Sequence, residues 1–240
     1  MLQLFLSALP SLQTLAIVAP IAILYGILVS LIVGKLRVER NVRTAYTRKL
    51  FHFSIFTMAT VVHLIWRLPG VTVLGIVTTA IVLYAIYRGD GFPLYEALAR
   101  PSDSPRRTLF IVVPLVTTAL GGIATNTFFP GYAYIGYLVC GWGDAVGEPV
   151  GSRWGRHRYR VPSLSGVPAT RSVEGSTAVF VVGAAAAIAG FITFGRAPAD
   201  ALLIGLGCGF VGALVEAVSN HGTDNLTTQL AAAAAAQLLT

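Results

Sequence analysis

Charged side chains are scarce in this sequence: they make up 11% of its 240 residues, where soluble domains carry about 25%. A water-exposed globular surface cannot be built from so few, which excludes a soluble domain. Cysteine occurs only at Cys140 and Cys208, both inside apolar runs. That placement argues against a disulfide framework and for small-hydrophobe packing. His and Cys never stand at zinc-ligand spacing. The phosphate loop G-x-x-x-x-G-K-S/T is absent, as are a G-x-S-x-G elbow and a Ser-His-Asp set. Gly205 and Gly209 lie within an apolar run and fit helix packing rather than a dinucleotide fingerprint. The N-terminus lacks a basic region and a small-residue cleavage site, so the first apolar run reads as a retained helix rather than a signal peptide.

What the chain has in abundance is apolar sequence, 55% of residues with a mean hydropathy of +0.74. The runs recur along the whole length, which predicts an all-α, polytopic transmembrane helix bundle of about eight spans, forming a single integral-membrane domain over 1–240. Spans are expected near 12–33, 50–66, 71–87, 108–124, 127–143, 176–195, 200–219 and 226–240, the last of them short. With the N-terminus outside, the loops after spans one, three, five and seven share one side. That side holds fifteen of the 17 basic residues, all but Arg67 and Arg196, and by the positive-inside rule it is cytoplasmic. It also gathers every carboxylate except Asp200, which the rule does not require and which points to a site. The net charge of +7 is thus spread as a topology signal, not as a nucleic-acid surface. Catalytic loops are expected at about 35–52, 88–107, 144–176 and 216–226. In the second, Leu94, Tyr95 and Leu98 read as a short amphipathic helix in the head-group layer, with Arg100 pointing out.

The stretch 141–176 is the richest in chemistry. On a helix, Asp144 and Glu148 share one face, beside a stripe made by Gly147, Gly151 and Gly155 along which a charged head group can approach the backbone. Carboxylates at membrane depth are functional candidates, and their spacing suits Mg²⁺ or another divalent cation; ion pairing to nearby arginines is the alternative. Arg153, Arg156, Arg158 and Arg160 follow, able to fork onto phosphates or anionic lipid heads, then a turn-rich segment 163–170. Arg171 comes next, with Ser172 and Glu174 either capping a new helix or joining the site. At the mouth of span two, Arg48, Lys49 and His52 can meet one anion near a helix N-terminus or serve as positive flanking residues. His63, deeper in that span, reads as packing. After span seven, Glu216 and Asn220 share a face, and the turn through His221, Gly222 and Thr223 returns Asp224 and Asn225 beside Glu216, as a second metal-binding edge or an Asx turn.

Taken in order, Arg48 to His52, Gly143-Asp144 through Gly155, Arg171 to Ser176, and Glu216 followed by Asp224-Asn225-Leu226 resemble the motifs of the CTP-dependent lipid kinases, the family of dolichol, phytol and farnesol kinases and yeast-type diacylglycerol kinase. The resemblance implies transfer of the γ-phosphate of CTP, with a divalent metal, to the hydroxyl of a membrane lipid alcohol. The isoprenoid alcohols are the leading candidates. It departs from the family where Arg171-Ser172 replaces the usual Lys-Ser or Lys-Thr, where Glu148-Pro149 follows the Gly-Asp motif, and where no proline follows Asp224-Asn225-Leu226. Asp144, Glu148 and Glu174 are then expected to be catalytic, with Asp144 a metal ligand or the base. Asp144, Glu148 and Asp224 are the expected metal ligands. Arg48, Lys49, His52, Gly147, Gly151, Arg153, Arg156, Arg171 and Ser172 are expected around the nucleotide, and Glu216 and Asn225 at the site's edge. The competing readings are a phosphatidate cytidylyltransferase-like enzyme, similar in Glu174-Gly175-Ser176 and His221-Gly222, and a small-anion transporter.

Overall fold

The computed structural model describes residues 8–163, 169–220 and 222–240; His221 and most of the turn-rich segment expected at 163–170 lie outside them. The chain divides into two compact units, Met1–Ile111 and Val112–Thr240. The described residues are almost wholly helical, and five helices among them are long and apolar enough to cross a membrane.

In the first unit, α1 (Leu12–Val38) and α2 (Thr44–Arg88) are two of these five, and α3 (Pro93–Leu98) is a short connector. Ser11 caps α1 by accepting the Thr14 N–H at 3.1 Å. A straight helix of 45 residues would be about 68 Å long, far beyond a hydrocarbon core of about 30 Å. The chain avoids this at Arg67, whose backbone is non-helical (φ 53°, ψ −150°), just before Pro69 and Gly70. Tyr25 Oη donates to the Ser54 carbonyl at 2.9 Å, and the neighbouring Gly26 meets Ile81. Ser54 and Ile81 therefore lie at one level along α1, on opposite sides of Arg67, and the two halves of α2 form a hairpin. Arg67 thus parts α2 into two helical segments, which contain the stretches 50–66 and 71–87.

The connector departs from expectation. Leu94, Tyr95, Ala97 and Leu98 are buried rather than lying open in a head-group layer. Thr47 Oγ1 reaches the Ala97 carbonyl at 2.8 Å, and Gly34 allows Pro93 to sit close against α1. Arg100 does not point out; its Nε stands 3.0 Å from Asp103 Oδ2. Arg107 ties the loop together through Asp90 and Glu96, each at 2.7 Å. Burial pushes the Glu96 carboxyl up, but the Gly91 N–H and Arg107 outweigh it and hold the group below its ordinary value.

The second unit contains most of α4 (Leu109–Phe128), then α5 (Ala133–Leu138), a π-helical turn (Val139–Gly143) and α6 (Asp144–Trp154). The last three form one helical rod, 133–154, longer than the span expected at 127–143. It is not among the five: its three pieces are short, and its second half carries Asp144, Glu148 and Arg153. Strands β1 (Arg158–Val161) and β2 (Ala169–Ser172) follow as an antiparallel ribbon, where sequence reasoning expected only loop. Then come α7 (Val173–Thr193), α8 (Pro198–Val218) and α9 (Asp224–Leu239). Gly205 and Gly209 let α8 close on α7: a Cβ on Gly209 would lie 2.5 Å from Ala184 N. The 16 residues of α9 reach about 24 Å, short of a full crossing.

Positive φ is costly for a residue with a side chain, by about 1–3 kcal/mol, and most for β-branched ones. Arg67→Val is therefore expected to lower the thermal unfolding midpoint of the detergent-solubilised protein, and Arg67→Gly to leave it unchanged or raise it.

Candidate functional site

Four segments of the second unit bring charged side chains together at the ends of its helices. Asp144 opens α6 directly after the π turn, an irregularity of the kind that re-aims side chains at functional sites. The turn is made from Val139, Cys140, Gly141, Trp142 and Gly143; a Cβ on Gly143 would lie 3.0 Å from the Val179 carbonyl oxygen of α7, so the glycine permits close approach there. Glu216 stands in the last turn of α8 and Asp224 begins α9. Asp144 and Glu216 are each 5% exposed. One carboxylate oxygen from each of Asp144, Glu216 and Asp224 falls within 4.8 Å of the others.

Arg171, from β2, is set against this group. Its Nε lies 2.9 Å from Glu216 Oε1 and its Nη2 2.8 Å from Asp224 Oδ2, while Nη1 donates to the Ser219 carbonyl at 3.1 Å. Three carboxylates and one guanidinium are an expensive set to bury, and such a set persists only where charges are paired. Hard oxygen donors at this spacing fit Mg²⁺ far better than a soft metal, so the donor chemistry suits the divalent cation expected from sequence.

The loop between α8 and α9 is held from two sides. Thr117 of α4 donates to the Gly222 carbonyl at 2.9 Å, and Asn225 Nδ2 donates to Thr118 Oγ1 at 2.7 Å. Gly222 adopts φ 94°, a conformation open to glycine at no steric cost. Ser219 Oγ lies 2.6 Å from Thr227 Oγ1 across the turn. Asn225 therefore helps to place Asp224, and Gln229, fully buried one turn on, donates to the Asn225 carbonyl.

The other expected site residues are distributed as follows. Glu148 lies one turn beyond Asp144 and is not part of the three-carboxylate group, which instead contains Glu216. Gly147 and Gly151 face α7: a Cβ on Gly175 would lie 2.8 Å from the Gly147 carbonyl oxygen, and one on Gly151 would lie 3.0 Å from Ser172 Oγ. Ser172 caps α7, accepting the Gly175 N–H at 3.1 Å. Glu174 holds His157 Nδ1 at 2.7 Å and accepts its backbone N–H. The register pairs Tyr159 with Arg171 and Arg160 with Thr170, so Arg171 falls on the ribbon face opposite to Arg158 and Arg160. Arg153 and Arg156 are exposed at the end of α6, with Arg153 over the ring of Trp154.

In the first unit, Arg48 and Arg100 both face the buried Asp103, with Arg48 Nη1 at 4.0 Å from Oδ2. The His52 ring packs on Phe56 at 4.5 Å, and Lys49 is half-buried beside them. Sequence reasoning missed Asp103, the ribbon and the threonine pair on α4. The π turn had one visible trace, the small residues immediately before Asp144.

The chain is 32% identical over 195 residues to a phytol kinase of Synechocystis sp., an alignment spanning 78% of this chain and 76% of that protein. No family model matches it, and no solved structure does.

Because α6 and α7 meet backbone to backbone at Gly175, Gly175→Ala is expected to force them apart. A destabilisation of about 1–3 kcal/mol should appear as a lower unfolding midpoint, whereas an unchanged midpoint would mean that the contact is slack.

Proposed function

Since this chain belongs to the family of membrane lipid alcohol kinases that includes phytol kinase, we propose that it phosphorylates an isoprenoid alcohol, of the phytol, farnesol or polyprenol and dolichol type, from CTP with Mg²⁺ or another divalent cation. The protein is a kinase acting on a lipid alcohol; donor, metal and acceptor are the parts proposed. The convergence of Asp144, Glu216 and Asp224, the last two paired with Arg171, carries the reading. Phosphoryl transfer needs positioning and charge neutralisation rather than a covalent protein nucleophile, and this set supplies both.

The three carboxylates would hold the cation, which when bound neutralises phosphate oxygens. Arg171 binds phosphate, and the exposed Arg153 and Arg156 steer the nucleotide in. The alcohol oxygen forms a bond to the γ-phosphorus, the bond to the CDP oxygen breaks, and Asp144 accepts the alcohol's proton. Glu148 and Glu174 act outside this centre, Glu174 by fixing the start of the ribbon through His157. Ser172, Gly147 and Gly151 act by holding α6 on α7, and Asn225 by placing Asp224. Arg48, Lys49 and His52, in the first unit, contact phosphate.

The reading includes about eight membrane segments, with the hairpin of α2 counted twice and the rod 133–154 and the short α9 added, and the site facing the cytoplasm. Fifteen of the 17 basic residues support that orientation. A cysteine placed at Arg156 should react with an impermeant thiol reagent only from the cytoplasmic side.

The deciding assay uses purified protein, Mg²⁺, γ-labelled CTP or ATP, and a panel of phytol, farnesol, a long polyprenol, diacylglycerol and phosphatidate. Label on an isoprenoid alcohol from CTP is the expected outcome. Transfer from ATP alone would overturn the donor. Labelled pyrophosphate released with phosphatidate would mean a cytidylyltransferase instead. Asp144→Asn should cut turnover at least about a hundredfold without loss of membrane insertion; near-normal turnover would remove Asp144 from the chemistry.

A further inference from the structure

If the second-unit site takes a divalent cation and phosphate as just proposed, Arg171 and the cation compete for the same oxygens. One flat guanidinium bridges Glu216 and Asp224 through Nε at 2.9 Å and Nη2 at 2.8 Å, and Nη1 is committed to the Ser219 carbonyl. The side chain is 13% exposed, so little water screens it. Mg²⁺ binds carboxylate oxygen at about 2.0–2.1 Å, and it would come close to a fixed positive charge in a part-buried setting, where like charges repel strongly.

A polyphosphate changes this balance. Its oxygens accept guanidinium donors in pairs, so Arg171 can exchange carboxylate oxygens for phosphate oxygens while the carboxylates turn to the cation. Lysine cannot substitute fully, because a point charge does not bridge two acceptors in a fixed plane.

We propose that Arg171 is a resident counter-ion of the Asp144, Glu216 and Asp224 group, so that the site takes a divalent cation already bound to a nucleotide polyphosphate and discriminates against the free cation. This rests on the metal-and-phosphate reading above and adds to it the form in which the ligand enters. The coupling is reciprocal: phosphate tightens the cation by the factor by which the cation tightens phosphate.

The test measures free Mn²⁺ by its EPR signal over the purified full chain, with and without a CTP analogue whose β–γ bridge cannot be cleaved. The unsubstituted protein should bind Mn²⁺ about tenfold more tightly with the analogue than without it. Arg171→Gln, which keeps hydrogen-bond donors but loses the charge, should bind Mn²⁺ alone about tenfold more tightly than the unsubstituted protein and lose that enhancement. Binding of Mn²⁺ alone that is no tighter in Arg171→Gln overturns the counter-ion role. If Arg171→Gln does not fold, Arg171→Lys decides the point. Retained charge should keep free Mn²⁺ weak while the lost fork blunts the analogue's effect; tight free Mn²⁺ binding by this variant overturns the proposal. Asp144→Asn and Glu216→Gln separate the two levels of failure. If Mn²⁺ binding is absent, or survives both substitutions undiminished, the metal reading itself falls, and the counter-ion role with it.

Discussion

Three carboxylates gathered at the ends of apolar helices, two of them paired with one guanidinium, set the terms for the second unit. Charges taken out of water cost several kcal/mol each unless they are paired and hydrogen-bonded, and the surrounding structure supplies that pairing. Arg171 is brought in by a ribbon rather than a helix, because a strand places successive side chains on opposite faces, and the register sets Arg171 on the face away from Arg158 and Arg160. Ser219 contributes its carbonyl to the third guanidinium nitrogen, and its hydroxyl ties the turn to Thr227. The threonine pair on α4 grips the same turn at Gly222 and Asn225. Each contact is modest, about 1 kcal/mol net, but together they fix where Glu216 and Asp224 stand.

Close helix packing makes this convergence possible. In an apolar solvent, helices associate through van der Waals contact of small residues rather than through the hydrophobic effect. Gly147, Gly151 and Gly175 bring α6 against α7, and Gly205 and Gly209 bring α8 against α7. With α7 as the common partner, the start of α6 and the end of α8 are fixed relative to one another, and these are the ends that carry Asp144 and Glu216.

Much of this was legible in the sequence, and what was not has physical reasons. The helical character of the chain follows from composition, and the break at Arg67 falls at the gap between the spans expected at 50–66 and 71–87. Asp144 stood out because a carboxylate beside an apolar run is costly, and the nearness of Glu216 and Asp224 because only a short turn separates them. The partnership of Arg171 with those two acids spans 45 and 53 residues, and no local periodicity encodes it. The same holds for Arg48 and Asp103. Glu148 looked the natural partner of Asp144 because helical spacing is readable, whereas the approach of Glu216 depends on packing between elements. The glycine stripe was visible, but spacing alone does not say whether a ligand or another helix lies along it. The ribbon was missed because four-residue strands with arginine at alternate positions carry little apolar signal.

The divalent cation proposed among Asp144, Glu216 and Asp224 can be mapped directly. Fe²⁺ substituted for Mg²⁺ and driven with ascorbate and peroxide cuts backbone near the metal, and the fragments map its position. Cuts clustered around residues 144, 171 and 216–224, suppressed by excess Mg²⁺ and lost in Glu216→Gln, are the predicted result. Cuts confined to other segments, or a pattern indifferent to Mg²⁺ and to that substitution, would contradict it.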